Sequence, residues 1–311
     1  MKDKGIKLLK SYKGFDCELV TDLSRENLLL KLPEFDGITL RRGKIDREIL
    51  NKCDKLKVIA RHGVGYDSVD TVSLKEKGIT LLVAHNSTST SPAEHIMFMI
   101  MNIYKGVSMF DTMVRNGDFV KAIHLNIEQN FELFDKTVLI AGFGRIGKKL
   151  IKKCLGFDMK VIVFDPYVDD KVIASFGGKK VSNLEDALKV ADILSLSLPL
   201  NSETKNFITL REMKLMKKSS VIINAARGGV VNEEDLNNAL NNNIIAFAGI
   251  DVFEKEPPEL TNPLLTNKKV VLSPHAATFT KEGLESMAVE TAQNIIDFFE
   301  NKIESTKIVK L

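Results

Sequence analysis

The sequence is poor in the features that mark several broad function classes. It has three cysteines, Cys17, Cys53 and Cys154, scattered and without a Cys-x-x-Cys pair. That usage fits reduced thiols packed as small apolar side chains, not a disulfide framework. Apart from His275, the histidines (His62, His85, His95 and His124) show no metal-ligand spacing, so no metal is expected; His95 is expected to be structural. Lys plus Arg (44) nearly balance Asp plus Glu (41), and the net charge is +3. No dense basic tract occurs, so no nucleic-acid partner is expected. The most apolar run, Ile96 to Ile103, is far shorter than the ~20 residues a membrane span needs. The opening stretch Met1–Lys10 is polar and lacks a signal-peptide apolar core. A soluble, cytoplasmic protein with no membrane partner is the expectation. There is no fixed-period repeat and no low-complexity segment.

What is present is the composition of a globular protein, 44% hydrophobic and 27% charged over 311 residues, a length that suits two α/β domains. Short apolar segments alternate with helical ones, the pattern of parallel sheets covered on both faces. Strands are expected at Val138–Ala141, Lys160–Phe164, Ile193–Leu198, Val221–Ile223, Phe247–Ile250 and Val270–Leu272. A helix is expected from about Ile146 to Leu155, and capping boxes at Ser182…Glu185 and Thr209…Glu212 are expected to open two more. The first ninety residues repeat the alternation more weakly. Strands are expected there at Cys17–Val20, Gly37–Leu40, Val58–Ala60 and Thr80–Val83. Helices are expected at Lys7–Ser11, Ser24–Leu30, Asp46–Asn51 and Val69–Lys77. A boundary is expected in the polar run Asn86–Ser91. Pro92 then opens an apolar helix to about Tyr104, and a last helix, Thr280–Glu300, returns to the first domain. The expected domains are 1–91 with 283–311, and 92–282.

The strongest local motif is Gly142-Phe-Gly144-Arg-Ile-Gly147, placed after a strand and opening a helix. Gly142 permits the tight turn, Gly144 leaves bare backbone for a pyrophosphate, and Gly147 lets helix and strand pack closely. The helix N-terminus offers free N–H groups to the anion. Asp165 ends the next strand, where an acid binds the adenosine ribose hydroxyls; read alone it would be a turn residue before Pro166. A carboxylate there repels a 2′-phosphate, which favours NAD over NADP.

Three later segments carry reactive side chains: Asn224-Ala-Ala-Arg227-Gly-Gly, Asp251-Val-Phe-Glu-Lys-Glu256 and Ser273-Pro-His275. Each begins where an expected parallel strand ends, the side of an α/β sheet where ligands bind. Taken singly, Arg227 would be a surface charge, Glu256 a loop acid and His275 a turn residue. Together they suit hydride transfer to a 2-keto acid. His275 can donate a proton near neutral pH. Glu256 can orient the imidazole and favour its protonated form, and Arg227 can bind a carboxylate through its planar fork.

These segments resemble the D-isomer-specific 2-hydroxyacid dehydrogenase family over nearly the whole chain. The resemblance also rests on Ser197-Leu-Pro199, Arg61-His-Gly63-Val-Gly65-Tyr-Asp67-Ser-Val-Asp70 and Pro92-Ala-Glu-His95. It implies two Rossmann-like/flavodoxin-like domains with parallel sheets and a cleft between them, the first a substrate (catalytic) domain, the second binding NAD. It implies a homodimer. It assigns catalysis to Arg227, Glu256 and His275. Cofactor binding falls to Gly142, Gly144, Arg145, Ile146, Gly147, Asp165, Ser197, Leu198, Pro199, Ala225, Ala226, Asp251 and Ala277. The substrate is expected on Arg61, on the backbone N–H groups of Val64 and Gly65, and on Arg227 and His275. The chain departs from the family in having Ala277 where many members carry Gly. It also begins directly in helix-like sequence, so a first sheet with one strand fewer, or a missing or misassigned start, is expected.

Arg61 and Arg41-Arg42 resemble the arginines of phosphoglycerate dehydrogenases, enzymes of serine biosynthesis, and cations there suit a phosphorylated substrate. A 3-phosphoglycerate dehydrogenase-like activity is therefore expected first, glyoxylate or hydroxypyruvate reduction second. Of a different class are an NAD-sensing corepressor-like binding protein and a dinucleotide-binding protein without turnover.

Overall fold

A computed structural model describes residues 1–85, 87, 89–125 and 130–311. The chain divides into two compact units, Met1–Ser89 with Thr278–Leu311, and Thr90–Ala277. The seams thus fall after Ser89 and Ala277, not after 91 and 282. Within the polar run expected to hold the first boundary, Asn86 and Thr88 lie outside the described residues.

The first unit runs α1 (Asp3–Ser11), α2 (Arg25–Lys31), β1 (Gly37–Leu40), α3 (Arg47–Asn51), β2 (Val58–Arg61), α4 (Thr71–Lys77) and β3 (Thr80–Val83). The C-terminal helix Lys281–Phe299 completes it. Ser24, Asp46 and Asp70 start α2, α3 and α4 by accepting a backbone N–H three residues on, the usual remedy for unsatisfied helix-start donors. The three strands form one parallel sheet in the order β1-β2-β3. Successive β2 residues serve opposite faces. Ile59 joins the core with Leu50, Leu74 and Leu81, while Val58 and Ala60 join the core built on Ala292, Ile295 and Ile296 of the C-terminal helix.

The strand expected at Cys17–Val20 does not form. A strand exists only by pairing, and among the described residues this segment has no ladder partner. A cavity of about 800 Å³ is lined both by it and by the outer edge of β1. Among the described residues no strand precedes α1, and β1 pairs with β2 alone.

The second unit opens with α5 (Thr90–Lys105), α6 (Val107–Arg115) and α7 (Phe119–Ile123). A strand-helix alternation follows: β4 (Thr137–Ala141), α8 (Arg145–Leu155), β5 (Lys160–Phe164), α9 (Asp170–Ser175), β6 (Lys179–Lys180), α10 (Leu184–Val190) and β7 (Ile193–Leu196). It ends with α11 (Leu210–Met213), β8 (Val221–Asn224), α12 (Glu233–Asn241), β9 (Phe247–Ile250) and β10 (Val270–Leu272). All strands are parallel, in the order β10-β9-β8-β7-β4-β5-β6. The strand order reverses between β4 and β7, the switch point at which such sheets bind ligands. Both faces are covered. Val138 and Ile140 pack with Ile96, Ile100 and Leu150 of α5 and α8, and Leu139 and Ala141 pack with Leu188, Met213 and Leu236 on the other side.

Two local expectations need correction. The cap of α10 is Asn183, whose side chain accepts the Asp186 N–H, not Ser182. β7 ends at Leu196, two residues early, the Ser197 N–H making the last bond to β4, to the carbonyl of Ala141 at 2.8 Å. The capping box at Thr209 and Glu212 forms, though it opens a helix of only four residues. Among the described residues no helix is long and apolar enough to cross a membrane.

Candidate active site

The loop after β4 is shaped by close approach. A Cβ on Gly142 would meet the carbonyl oxygen of Ser197 at 2.6 Å, and Gly142 adopts φ +93°. A Cβ on Gly147 would meet the Gly142 carbonyl oxygen at 2.6 Å. Gly144 faces open space, with nothing within 4 Å of an added Cβ. It caps α8 without any side-chain hydrogen bond, so the helix dipole and the first-turn donors are offered outward. Arg145 is exposed at the first turn of α8, while Ile146 packs against the core. Asp165 follows β5. Its Oδ2 accepts the Phe143 N–H at 2.7 Å, and its Oδ1 accepts those of Tyr167 and Val168 at 2.8 and 3.1 Å. The carboxylate therefore braces the glycine loop as well as standing at the strand end. A bare glycine facing open space, an uncapped helix start and a carboxylate at the next strand form a donor and acceptor set that fits a dinucleotide.

On the other side of the switch point, Ser197, Leu198 and Pro199 follow β7. The Leu198 side chain reaches within 3.0 Å of a Cβ built on Gly142, and the Ser197 hydroxyl is buried without a protein partner. Ala225 and Ala226 follow β8, the Ala226 N–H held by Asn224 Oδ1 at 3.1 Å. Arg227 comes next, one Nη1 donating to the carbonyl of Ala226 at 2.6 Å.

The ends of β9 and β10 bring the remaining groups together. His275 lies in the left-handed region at φ +52°, a position a non-glycine residue holds only when its surroundings enforce it. The enforcement comes from Asp251. The His275 N–H donates to its backbone carbonyl at 2.7 Å, and the N–H groups of Ala276 and Ala277 donate to its carboxylate at 2.7 and 3.0 Å. Asp251 is fully buried. Burial pushes its pKa up, but hydrogen bonds from His95, Ser273, Ala276 and Ala277 pull it down to about 2. His275 Nδ1 lies 2.8 Å from Glu256 Oε2, and Glu256 Oε1 accepts the Phe253 N–H at 3.1 Å. The Glu256 hydrogen bond raises the His275 pKa above its ordinary value, against desolvation and against the nearby Arg227 charge. Arg227, Glu256 and His275 are thus drawn together at the carboxyl ends of β8, β9 and β10.

The structure adds two residues to the neighbourhood that were not among the expected site residues. His95 of α5 lies with Nε2 2.9 Å from Ser273 Oγ, which lies 2.5 Å from Asp251 Oδ1. His95 is already quoted in the Pro92-Ala-Glu-His95 motif, but nothing in its local sequence points to Ser273.

In the first unit, Val64 and Gly65 lie on the loop after β2, with Val64 45% exposed. Arg61 ends β2. Its Nε donates to the carbonyl of Gly65 at 2.7 Å and its Nη1 to the carbonyls of Leu40 and Arg41 at 2.9 and 3.3 Å. Its guanidinium braces that loop, a role the sequence alone did not suggest.

Residues 97–277 match the family model described as D-isomer specific 2-hydroxyacid dehydrogenase, NAD binding domain. A D-3-phosphoglycerate dehydrogenase of Methanocaldococcus jannaschii is 34% identical over 95% of this chain and 55% of its own length. The chain therefore spans about half the length of such relatives. A glyoxylate reductase of Thermococcus litoralis is 35% identical over 99% of this chain and 94% of its own. Among solved structures, a D-lactate dehydrogenase of Aquifex aeolicus, complexed with NAD and lactic acid, superposes with a TM-score of 0.81 at 28% identity, covering 90% of this chain and 88% of that one.

Proposed function

The chain belongs to the D-isomer specific 2-hydroxyacid dehydrogenase family, and from that premise we propose that it is an NAD-dependent oxidoreductase interconverting a D-2-hydroxy acid and its 2-keto acid. The observation that carries the reading is the His275–Glu256 pair, an imidazole held at 2.8 Å by a carboxylate and kept protonated further up the pH scale than a free histidine. NAD, held by the loop Gly142–Gly147 and by Asp165, supplies or accepts the hydride when bound. In the direction of reduction, negative charge develops on the keto oxygen. His275 Nε2, the ring nitrogen not engaged by Glu256, gives that oxygen its proton. Glu256 balances the imidazolium before the transfer and fixes the tautomer after it. Arg227 binds the substrate carboxylate and polarises the carbonyl. In the first unit, the backbone N–H groups of Val64 and Gly65 are proposed as further carboxylate donors.

The substrate proposed first is a 3-phosphoglycerate-like acid, supported by the arginines at 41 and 42 and by the phosphoglycerate dehydrogenase relatives. A glyoxylate or hydroxypyruvate reductase is the second reading. The Thermococcus litoralis relative, matched along nearly all of its length, and the engagement of Arg61 Nε and Nη1 by backbone carbonyls favour it. A homodimer belongs to the same proposal, supported by the exposed apolar side chains Val107, Met109 and Val114 of α6 and Phe119, Val120 and Ile123 of α7.

The test is oxidation of NADH by purified protein with phosphohydroxypyruvate, hydroxypyruvate, glyoxylate and pyruvate in turn. Turnover lowered about 10²- to 10⁴-fold in His275→Ala is expected, and the preferred acid separates the two readings. NADH binding without turnover on any of them would leave a binding protein, of the corepressor kind or another.

A further inference from the structure

We propose that His95 is a positioning residue for His275, acting through Ser273 and Asp251. The inference rests on the reading of His275 as the proton donor. Three segments far apart in the chain converge on one buried carboxylate: α5 at His95, the end of β9 at Asp251 and the end of β10 at Ser273. Their hydrogen bonds have a fixed direction. Asp251 is ionised, with a pKa of about 2, so it has no proton to give. The Ser273 hydroxyl must therefore donate to Asp251 Oδ1, and its remaining lone pairs face His95 Nε2, which must carry a hydrogen. His95 Nε2 also lies 3.5 Å from Asp251 Oδ1 itself.

The same carboxylate receives the N–H groups of Ala276 and Ala277, and the Asp251 backbone carbonyl receives that of His275. Three consecutive amides ending on one residue hold the turn that puts His275 at φ +52° and its Nδ1 on Glu256. A buried carboxylate needs its acceptor sites filled from fixed directions. Removing His95 frees the Ser273 hydroxyl to rotate and leaves Asp251 with fewer donors. The carboxylate can then shift, and the amides of 276 and 277 shift with it. The imidazole loses its aim, although no group that touches the substrate has been changed.

The experiment compares His95→Leu, His95→Gln and Ser273→Ala with the wild-type protein. It reads the backbone amide resonances of Ala276 and Ala277, the affinity for NADH, and kcat and KM for the preferred keto acid. His95→Leu is expected to displace both amide resonances and to lower kcat by about ten- to a hundred-fold, the scale of a small misplacement of a reacting group, with KM little changed. His95→Gln places an N–H at similar reach and is expected to restore both. Wild-type amide positions and kcat in His95→Leu, or a loss of kcat that His95→Gln does not relieve, would overturn the proposal. If His95→Leu does not fold, Ser273→Ala must displace the same two resonances, and unmoved resonances there overturn it equally. If the wild-type protein turns over no keto acid, the proposed activity fails on its own, and the amide resonances still decide the role of His95.

Discussion

Glu256 grips His275 at Nδ1: its Oε2 lies 2.8 Å from that nitrogen, while its Oε1 accepts the Phe253 N–H at 3.1 Å. The carboxylate is thus fixed at one end by backbone and sets both the orientation and the charge of the imidazole. Its hydrogen bond is the largest cause of the raised His275 pKa. A histidine whose folded pKa is raised keeps its proton to higher pH, so reduction should fail on the alkaline side, as pH rises through that pKa. Glu256→Gln keeps the shape and removes the charge. The alkaline limb of kcat/KM for keto-acid reduction is expected to move to lower pH, with kcat at neutral pH reduced. His275→Ala is expected to lose about 10²- to 10⁴-fold, the usual worth of a general acid. A pH profile of the three proteins checks both, and an unmoved limb in Glu256→Gln would contradict the pairing.

Arg227 offers a planar fork, and a lysine in its place offers a point charge. Arg227→Lys should therefore lower kcat/KM for the keto acid by roughly ten- to a hundred-fold, the worth of one charge-assisted hydrogen bond. NADH affinity should stay the same, because the guanidinium is proposed to bind the substrate carboxylate, which leaves the cofactor to the neighbouring Ala225 and Ala226. Fluorescence titration with NADH beside steady-state kinetics separates the two effects. A parallel loss of NADH affinity would place Arg227 at the cofactor instead.

Asp165 holds the amides of Phe143, Tyr167 and Val168, and in the proposed cofactor site it would present negative charge where a 2′-phosphate would lie. Asp165→Asn preserves an acceptor and removes the charge. The expected outcome is weaker NADH binding and a smaller preference for NADH over NADPH, read as the ratio of dissociation constants. An unchanged ratio would assign the residue to loop bracing alone.

The second unit was largely legible because buried parallel strands are short continuous apolar runs, as at Ile193–Leu196 and Val221–Ile223. β6 was not, because it consists of Lys179 and Lys180 at the sheet edge and exists only through pairing with β5. Nor was α12, where three of nine residues are asparagine; the Asn232 cap and the acidic first turn at Glu233, Glu234 and Asp235 start it, and burial of Leu236 and Leu240 holds it. Cys17–Val20 erred the other way, since it has the composition of a strand but no partner. The proposed catalytic residues could be read because strand-end motifs keep their local sequence. The link between His95 and Ser273 could not, because 178 residues separate them and only the packing of α5 against β9 and β10 joins them.

His62 provides a test of the first unit that does not depend on catalysis. It is buried, its Nε2 has no hydrogen-bond partner, and desolvation, aided by the positive charges of Arg41 and the N-terminus, lowers its pKa from 6.5 to about 4. Folded protein therefore keeps this ring neutral while the unfolded chain protonates it. The stability this contributes is complete above the unfolded value of 6.5 and is lost as pH falls through the folded value near 4. A shift of that size corresponds to roughly 3 kcal/mol between the two ends of the window. Denaturant unfolding at pH 7 and pH 4.5 should show wild type losing more stability than His62→Leu. The wild-type His62 ring resonance should stay at its neutral position until the pH nears 4. A His62 that titrates near 6.5 would mean that the pocket beside β1 admits water, or that the Arg41 charge is screened there.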